Sequence, residues 1–519
     1  MEIIEDKYLA VRTRNPDKIT QAIKKSKVVG KTEDISTVAV EWELREAQWL
    51  RHLKFKNVPS PIRRDYEWPG LYTPMEHQKD TAEFLTLHRR GFCFNEQGTG
   101  KTASAIWASD YLLSHGHIKR VLVVCPLSIM QAAWQRDLFN FAIHRSVGVA
   151  HGDRDKRVKV IRGNYEYVII NFDGISIVAD EITKGGFDLI IIDEANAYKT
   201  ATTKRWKAMN KLVTTNTWLW LMTGTPAAQS PADAYGLAKM CVPDNVPKFF
   251  TTFKESVMVQ VTRFKWMPKP NASTIVHTAL QPAIRFEKKD CLDLPSVTYT
   301  DRDAPLTPQQ KKYYELLKKE FLVKAGEEEI TSANVAVNLN KLLQISGGAV
   351  YTNSGATVQF DVSNRLSVVD EVIEEASHKV LVFVPFTHTI DLLKTHLVSK
   401  HIPCEIISGA VTPTRRNDII QRFQTKGEDD IKVLIIQPAA AAHGITLTAA
   451  DTVIWYAPVT STETYLQANA RIDRQGQKNA MTVVHIIGSS IERKIYRMLR
   501  EKLGHHEKLI DLYREELTQ

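Results

Sequence analysis

Residues 91–113 read GFCFNEQGTGKTASAIWASDYLL. A short apolar run, Gly91–Asn95, leads into a turn with two glycines and then into an alanine-rich stretch of helical character. This order predicts a strand, a phosphate-binding loop and a helix, because the backbone N–H groups at a helix N-terminus attract phosphate. The strict motif G-x-x-x-x-G-K-[ST] is broken at its first position, Asn95, so GTGKT taken alone also fits an ordinary glycine turn.

The loop residues have distinct expected roles toward a bound nucleotide. Gly98 and Gly100 allow the backbone to approach the phosphates, and the Lys101 ammonium reaches the β- and γ-phosphates. The Thr102 hydroxyl is the expected ligand of Mg²⁺. The residues expected to hold the nucleotide in this segment are Asn95, Gly98, Thr99, Gly100, Lys101 and Thr102.

An acidic pair stands at the end of another apolar run. The segment DLIIIDEANAYK, residues 188–199, places Asp193 and Glu194 directly after LIII. Asp193 is expected to hold Mg²⁺, and Glu194 to orient and polarise the attacking water. A bare Asp-Glu pair is most often only part of a polar loop. Because this pair follows a phosphate loop that is predicted in the same sheet, a catalytic role is favoured for it.

A third charged motif lies in the other half of the chain, in QANARIDRQGQ, residues Gln467–Gln477. Arg471 and Arg474 are three residues apart and share one face if the segment is helical. Their positive charge is suited to reach a γ-phosphate across a cleft, as an arginine finger does. For an isolated Arg-x-x-Arg, a solvated basic face is the alternative.

Short Val/Ile/Leu runs alternate with amphipathic helical stretches in two blocks of the chain. Continuous apolar runs of this kind predict strands that are buried on both faces of a parallel sheet. The runs of the first block are Gly91–Asn95, Val121–Pro126, Tyr167–Phe172, Leu189–Asp193 and Leu219–Thr223. Those of the second block are Lys379–Pro385, Cys404–Ser408, Val433–Gln437, Thr452–Tyr456 and Met481–Ile487.

The predicted fold is α/β, with two doubly wound parallel-sheet domains in tandem. A small N-terminal α+β module precedes them, and a helical insertion with a linker separates them. The predicted boundaries are 1–68 for the module, 69–240 for the first domain, 241–370 for the insertion and linker, 371–490 for the second domain and 491–519 for a C-terminal helix.

Composition limits the classes of function. The 519 residues carry a net charge of +9, which fits a nucleic-acid partner and equally fits a merely soluble basic protein. No apolar stretch is long enough to cross a bilayer and the N-terminus has no signal-peptide pattern, so we expect no membrane association and a cytoplasmic location. The five cysteines are far apart, which argues against a zinc site or a disulfide framework.

Together these motifs resemble the superfamily-2 helicases, and specifically the Swi/Snf-related double-stranded DNA translocases, over about residues 70–500. The family loop, approximately D-E-M-G-L-G-K-T, is NEQGTGKT here. The family motif Q-A-x-x-R-x-x-R-x-G-Q is fully satisfied by residues 467–477. The resemblance implies two RecA-like domains and the cofactors ATP and Mg²⁺. It departs from many relatives at Asn196, where they carry His.

The resemblance also implies roles for residues outside the three motifs. Gln78 is expected to read the adenine, and Gly444 to lie at the nucleotide. Coupling of hydrolysis to domain movement is assigned to Thr223, Thr225 and Gln467. Contacts to the nucleic-acid backbone are assigned to Pro126, Asn171, Gly409 and Thr412.

The function expected from the resemblance is a DNA-stimulated ATPase that moves along duplex DNA, with RNA as a possible substitute. The alternatives are a strand-separating DNA or RNA helicase and a non-catalytic nucleic-acid-binding scaffold. We expect a compact monomer of bacterial or bacteriophage type in a bacterial or host cytoplasm, associated with the nucleoid. Replication, recombination or repair proteins are candidate partners. In the N-terminal module, Lys24, Lys25, Lys27 and Lys31 form either a phosphate contact or a solvated face.

Overall fold

The computed structural model describes residues 1–32, 34–227, 230–262, 266–327, 332–351, 357–425, 431–441 and 445–501. The chain divides into two compact units. The first comprises Met1–Ala227, Pro231–Val259 and Pro268–Cys291, and the second comprises the rest of the described residues.

The N-terminal module begins the first unit. Its elements are β1 (Glu2–Ile4), β2 (Tyr8–Thr13), α1 (Asp17–Ala22), β3 (Ser26–Lys31), β4 (Ser36–Glu41), α2 (Leu44–His52) and α3 (Ile62–Asp65). In the described residues the strands form an antiparallel sheet in the order β1-β2-β4-β3. Alternate residues of β4 are buried, as expected for a sheet with one face on a core.

The first unit continues with a parallel sheet and its helices; of the elements named next, Gln260 of β11 and residues 266–267 of β12 belong to the second unit. The elements are α4 (Glu76–Leu87), β5 (Arg90–Cys93), α5 (Lys101–Ser114), β6 (Val121–Cys125), α6 (Arg136–Phe141), β7 (Val147–Ala150), α7 (Arg154–Arg162), β8 (Tyr167–Asn171), α8 (Phe172–Lys184), β9 (Leu189–Asp193), α9 (Lys204–Leu212), β10 (Trp218–Met222), α10 (Ala234–Cys241), α11 (Phe250–Val257), β11 (Met258–Gln260), β12 (Trp266–Pro268), α12 (Ala272–Ala279), β13 (Ala283–Ile284) and α13 (Lys288–Cys291).

Within the described part of this unit, seven parallel strands are ordered β13-β5-β10-β9-β6-β8-β7. Every residue of β6, β8, β9 and β10 is buried, which is why these strands read as unbroken apolar runs in the sequence. The module and this sheet share one core, because Val38, Val40 and Leu50 belong to the same hydrophobic cluster as Leu85 and Trp220.

The second unit is built around another parallel sheet. Its elements are β14 (Val297–Asp303), α14 (Pro308–Glu327), α15 (Ser332–Gly347), β15 (Ala349–Tyr351), β16 (Thr357–Gln359), α16 (Ser363–Glu375), β17 (Lys379–Phe383), α17 (Thr387–Ser399), β18 (Cys404–Ile407), α18 (Pro413–Gln424), β19 (Val433–Ile436), α19 (Pro438–Ala441), β20 (Ala450–Trp455), α20 (Thr462–Asn469), β21 (Met481–Ile487) and α21 (Ser490–Arg500).

The described strands of this sheet are parallel and ordered β14-β21-β20-β17-β19-β18, with a separate β15–β16 hairpin. Helices cover both faces, so two hydrophobic clusters flank the sheet. The fold class predicted from the sequence, two tandem RecA-like α/β domains, is confirmed. Residues 502–519, the greater part of the predicted C-terminal helix, lie outside the described residues.

The segment predicted as an insertion and linker, 241–370, contributes to both sheets. Its β13 pairs with β5, and its β14 pairs with β21 over seven residues. β14 is largely polar, VTYTDRD, which is why the apolar pattern did not reveal it. Across the described ranges, no helix combines the length and apolar character needed to cross a membrane.

Candidate active site

The loop predicted to bind phosphate follows the carboxyl end of β5 and runs into α5. Gly98 and Gly100 lie in the left-handed region, at φ 86° and 82°. Residues with a Cβ rarely adopt this conformation, so the two glycines allow the chain to turn sharply into the helix. Thr102 stands in the first turn of α5, beside Lys101.

The Lys101 ammonium is held inside the loop. Its Nζ donates to the carbonyl oxygens of Asn95 at 2.8 Å and of Glu96 at 3.1 Å. These acceptors carry no net charge, so the position suits an ammonium that meets an anion such as phosphate.

The side chain of Asn95, a residue expected to help hold the nucleotide, makes its hydrogen bonds within the protein. The side chain is 1% exposed; its Nδ2 donates to Thr81 Oγ1 at 2.8 Å, and its Oδ1 accepts from the Phe286 N–H at 3.0 Å. The amide therefore fixes the junction of strand and loop. The Asn95 carbonyl is the group that contacts Lys101.

Helix α4 braces the loop from the other side. Gln78 Nε2 donates to the Thr99 carbonyl at 3.3 Å, and the His77 imidazole contacts the same oxygen at 2.8 Å. A Cβ built on Gly100 would meet Gln78 Nε2 at 2.2 Å, so the glutamine lies directly against the loop. The predicted residue Gln78 is thus brought to the loop, together with His77, which the sequence reasoning missed.

Gln97 marks a place for a polar ligand. Among the described residues, neither its Oε1 nor its Nε2 has a hydrogen-bond partner, although both atoms are buried. Its Cγ lies 3.2 Å from where a Cβ on Gly224 would be, so the amide stands between the loop and the Thr223–Thr225 turn. Buried amides nearly always have partners. A phosphate-bearing ligand in this loop therefore fits the polar groups present.

Asp193 ends β9 at the same edge of the sheet. Its Oδ2 accepts from the Trp134 indole at 2.9 Å, and its Oδ1 accepts from the backbone N–H of Glu194 at 3.0 Å. Burial raises the pKa of Asp193, and the Trp134 N–H and the charge of Lys101 lower it in part. A divalent cation bound at this carboxylate would also favour its charged form, as the Trp134 N–H and the charge of Lys101 do.

Trp134 is a residue of this site that the sequence did not reveal. It is fully buried and lies in a π-helical turn, Met130–Gln135. The extra residue in such a turn changes which side chain faces the sheet, and π-turns are frequent at functional sites. Because the residue spacing of an α-helix does not hold in a π-helical turn, helical periodicity does not predict the contact between the Trp134 indole and Asp193.

Glu194 and Asn196 connect the acidic segment to the Thr-Gly-Thr turn. Glu194 has a left-handed backbone, with φ 56° and ψ 54°, a strained conformation that clusters at functional sites. Asn196 Nδ2 donates to the Thr225 carbonyl at 3.0 Å and to its Oγ1 at 3.1 Å, and the Thr225 N–H donates to Thr223 Oγ1 at 3.3 Å. Asn196, where many relatives carry His, thus itself links the acidic segment to the Thr-Gly-Thr turn.

The arginine motif lies in the second unit. Helix α20 ends at Asn469, so Arg471 and Arg474 stand in the turns that follow, and the shared helical face considered for them does not form. A common acceptor brings them together instead, because the Nη1 atoms of Arg471 and Arg474 donate to the Ile445 carbonyl at 3.3 and 3.0 Å. Arg471 Nε also donates to the Gln467 carbonyl at 2.8 Å. Gly444 lies outside the described residues.

The residues assigned to nucleic acid lie at ends of strands. Pro126 follows β6, and Asn171 ends β8, where its Oδ1 accepts from Arg157 Nη1 at 2.9 Å. In the second unit, the Gly409 N–H donates to Gln437 Oε1 at 3.3 Å, and Thr412 caps α18. Contact with nucleic acid by these residues stays a prediction.

Two family models match the chain. The model described as SNF2-related domain matches residues 41–346, more than half of the chain. The chain belongs to the SNF2-related family. The model described as helicase conserved C-terminal domain matches residues 364–476, which include both arginines. The resemblance drawn from the loop and the arginine motif is therefore confirmed.

Relatives of this SNF2-related chain include much longer proteins. Chromodomain-helicase-DNA-binding protein 1-like from Mus musculus is 25% identical over 491 residues, which cover 88% of this chain and 53% of that protein. Chromodomain-helicase-DNA-binding protein 9 from Mus musculus is 28% identical over 528 residues, covering 91% and 18%. The chain thus spans about half, or less, of these relatives.

A solved structure, the Sulfolobus solfataricus SWI2/SNF2 ATPase core in complex with dsDNA, is also similar. It has 22% sequence identity and a TM-score of 0.41, and the match covers 87% of this chain and 97% of that one.

Proposed function

We propose that this chain hydrolyses ATP in the presence of Mg²⁺ and couples hydrolysis to movement along duplex DNA. The observation that carries the proposal is the arrangement at the carboxyl edge of the first sheet. There Lys101 lies in the glycine loop that follows β5, and the buried Asp193 ends β9, which is separated from β5 only by β10. An ammonium and a carboxylate in this relation are the groups that bind a metal-bound triphosphate.

The nucleotide is held by the loop and by α4. Gly98 and Gly100 give the phosphates access to backbone N–H groups, and the orphaned amide of Gln97 provides further donors and acceptors. Gln78, which lies against Gly100, contacts the adenine. Lys101 neutralises charge on the transferred phosphoryl group.

Thr102 and Asp193 would hold Mg²⁺, which would supply positive charge to the phosphates when bound. Glu194 orients and polarises the attacking water. The Asn196–Thr225 hydrogen bonds transmit a change at the acidic segment to the Thr-Gly-Thr turn. Thr223 and Thr225 therefore act in coupling rather than in chemistry.

Arg471 and Arg474 supply the remaining positive charge from the second unit. Both donate to one carbonyl, so a single displacement brings both to a phosphate. We infer that hydrolysis needs both the loop residues and the arginines, and that DNA stimulates turnover. The net charge of +9 supports a grip on the phosphate backbone that is independent of sequence.

The test is phosphate release by the whole chain with ATP and Mg²⁺, without nucleic acid and with duplex DNA, single-stranded DNA or RNA of matched sequence. We expect duplex DNA to raise turnover far above the basal rate and above the other two. Equal turnover with and without any nucleic acid contradicts the proposal. A Lys207→Ala variant, altered at an exposed lysine of α9, serves as the control for substitutions in the loop.

Strand separation is the second candidate, because the same motifs serve helicases. An unwinding assay on a forked duplex, run beside displacement of a triplex-forming strand from an intact duplex, separates the two. Triplex displacement without unwinding supports translocation. Unwinding that exceeds triplex displacement supports the helicase. A Lys101→Ala protein with full function in both assays supports a non-catalytic scaffold.

A further inference from the structure

A large cavity of about 1210 Å³ lies in the first unit, away from the phosphate loop. Arg90 begins β5 and Trp218 begins β10, and both line the cavity, whereas the loop follows the opposite end of β5. Helix α2 of the N-terminal module and helix α12 also contribute. We call this cavity the basic cleft; it opens at the amino edge of the sheet whose carboxyl edge carries the nucleotide residues.

The charge of the basic cleft is of one sign. Its lining includes Arg45, Arg51, Lys54, Arg89 and Arg90, and no Asp or Glu. None of these five cations forms an ion pair with a residue that the structure describes, in contrast to Arg63 and Arg145 of the same unit, which each contact two or more carboxylates. The cleft therefore offers uncompensated positive charge to an anion.

The guanidinium of Arg51 is held in the cleft by a hydrogen bond to His88. Its Nη2 lies 3.0 Å from His88 Nε2, and His88 Nδ1 lies 2.7 Å from the Phe84 carbonyl. Because the guanidinium can only donate, His88 Nε2 accepts and Nδ1–H donates, so the imidazole is neutral. Burial lowers the pKa of His88 to about 4 and also lowers the pKa of Arg51. A half-buried cation with a neutral partner is stabilised by a bound anion.

Aromatic faces stand beside this charge. Trp49 is 40% exposed, and its ring meets the edge of His52 at 5.6 Å and 87°. The Arg89 guanidinium lies over the Trp218 ring at 5.4 Å. Trp218 itself is buried, so Trp49 is the ring of this pair that is open to a base. Positive charge that tracks a backbone, combined with an exposed aromatic ring, is how proteins bind single-stranded nucleic acid. The volume also exceeds the roughly 300–1,000 Å³ typical of small-ligand pockets.

We propose that the basic cleft binds single-stranded nucleic acid, with phosphates on Arg45, Arg51 and Lys54 and a base stacked on Trp49. This site is separate from the nucleotide loop and needs no ATP. Binding of a single strand in the absence of ATP is therefore independent of the proposed motor activity, and one can fail without the other.

The first test measures fluorescence anisotropy of a labelled oligothymidine with the full chain, without nucleotide. A length of about 20 nucleotides exceeds the roughly 4–16 nucleotides covered by one single-strand-binding fold. The double variant R45E/K54E reverses two exposed charges of the cleft. The matched control K7E/R12E reverses one lysine and one arginine that are exposed elsewhere on the same module and do not line the cleft.

We expect R45E/K54E to raise Kd at least about tenfold and to reduce the salt slope by about 1.4, since each single-strand phosphate contact contributes about 0.7. K7E/R12E leaves both values near wild type, and basal ATP hydrolysis is the check on folding for both. Equal weakening by the two double variants, or no weakening by R45E/K54E, overturns the proposal.

The second test separates bases from phosphates. Trp49→Ala removes the stacking face and is expected to weaken oligothymidine binding about tenfold. Inorganic polyphosphate of similar length has no bases, so its binding by Trp49→Ala stays at the wild-type level. Wild-type affinity for polyphosphate equal to that for oligothymidine, with no effect of Trp49→Ala on either, identifies a general anion site and overturns the assignment to nucleic acid.

Discussion

The two sheets have the same parallel architecture and carry different chemistry at their edges. In the first unit, Lys101 follows β5 and Asp193 ends β9, on either side of β10, so they provide opposite charges at one sheet edge; Trp134 donates to Asp193, and Gln78 donates to the Thr99 carbonyl of the glycine loop. In the second unit, Arg471 and Arg474 donate to a backbone carbonyl. Under the function we propose, the residues of the first unit bind the metal-bound nucleotide, and the arginines of the second contribute positive charge to hydrolysis.

The sharpest test of this division is Arg471→Ala. We expect kcat for ATP hydrolysis to fall by about 10³-fold or more, the range for an arginine finger, while nucleotide affinity changes far less. Arg471 is buried, so Arg474→Ala, at a more exposed position, is measured beside it with thermal unfolding as the check on folding. If Arg471→Ala greatly weakens nucleotide binding but leaves kcat at saturating ATP unchanged, the division of roles between the two units is wrong.

The second unit contains a buried ion pair of its own, and Glu492→Gln tests how much that pair stabilises the unit. The Arg365 guanidinium donates to both Glu492 oxygens at 2.9 Å, and both side chains are buried. Removing one charge of a buried pair costs about 3–5 kcal/mol. We expect that loss in the free energy of unfolding of the second unit, measured by urea denaturation.

The control for Glu492→Gln is the exposed pair Arg493–Asp303 of the same unit. Asp303→Asn should cost no more than about 1 kcal/mol, because surface pairs are screened by solvent. A comparable loss in both variants would mean that burial of the Arg365 pair is not what stabilises this unit.

Lys101→Ala tests the first unit. Loss of one preorganised positive donor is expected to reduce ATP hydrolysis by about 10²–10³-fold and, unlike Arg471→Ala, to weaken nucleotide binding as well. Titration with a fluorescent ATP analogue measures the affinity. Lys207→Ala should match wild type in both. If Lys101→Ala left the nucleotide affinity unchanged, the lysine would act only in hydrolysis, as the arginines are proposed to do. The contrast between the two units would then be lost.

Trp134→Phe is expected to have the smallest effect. It removes the indole donor to Asp193, and hydrogen bonds to charged groups contribute about 1.5–3 kcal/mol. Without that donor the pKa of Asp193 rises further, so the acid limb of the pH–rate profile moves to higher pH and more Mg²⁺ is required. Trp206→Phe loses an equivalent buried indole bond, to the Gly236 carbonyl, and should show neither change. A profile that does not move contradicts a positioning role.

Much of the fold was accessible from sequence because its strands are buried on both faces. Leu189–Asp193 and Met481–Ile487 were predicted with the observed bounds. β13, β14 and β7 were missed, since the first is two residues long, the second is polar and the third is only half buried. Apolar periodicity carries no signal for such strands.

The candidate site was predictable where chemistry imposes a motif, as at Lys101 and Asp193. It was not predictable where a contact depends on packing between distant segments. His77 reaches the loop because α4 lies beside it, and Trp134 reaches Asp193 through a π-helical turn. Gln97 looks like an unremarkable loop residue until its burial is known.

The common core of the N-terminal module and the first sheet has a consequence for how such chains are recombined. Leu50 of α2 and Leu85 of α4 belong to one hydrophobic cluster, and Gln48 Nε2 donates to the Thr86 carbonyl at 2.8 Å. A module borrowed from another family member would have to match this interface residue by residue. An exchange of this module between chains therefore has to include α4, which packs against α2, and not only the first 68 residues.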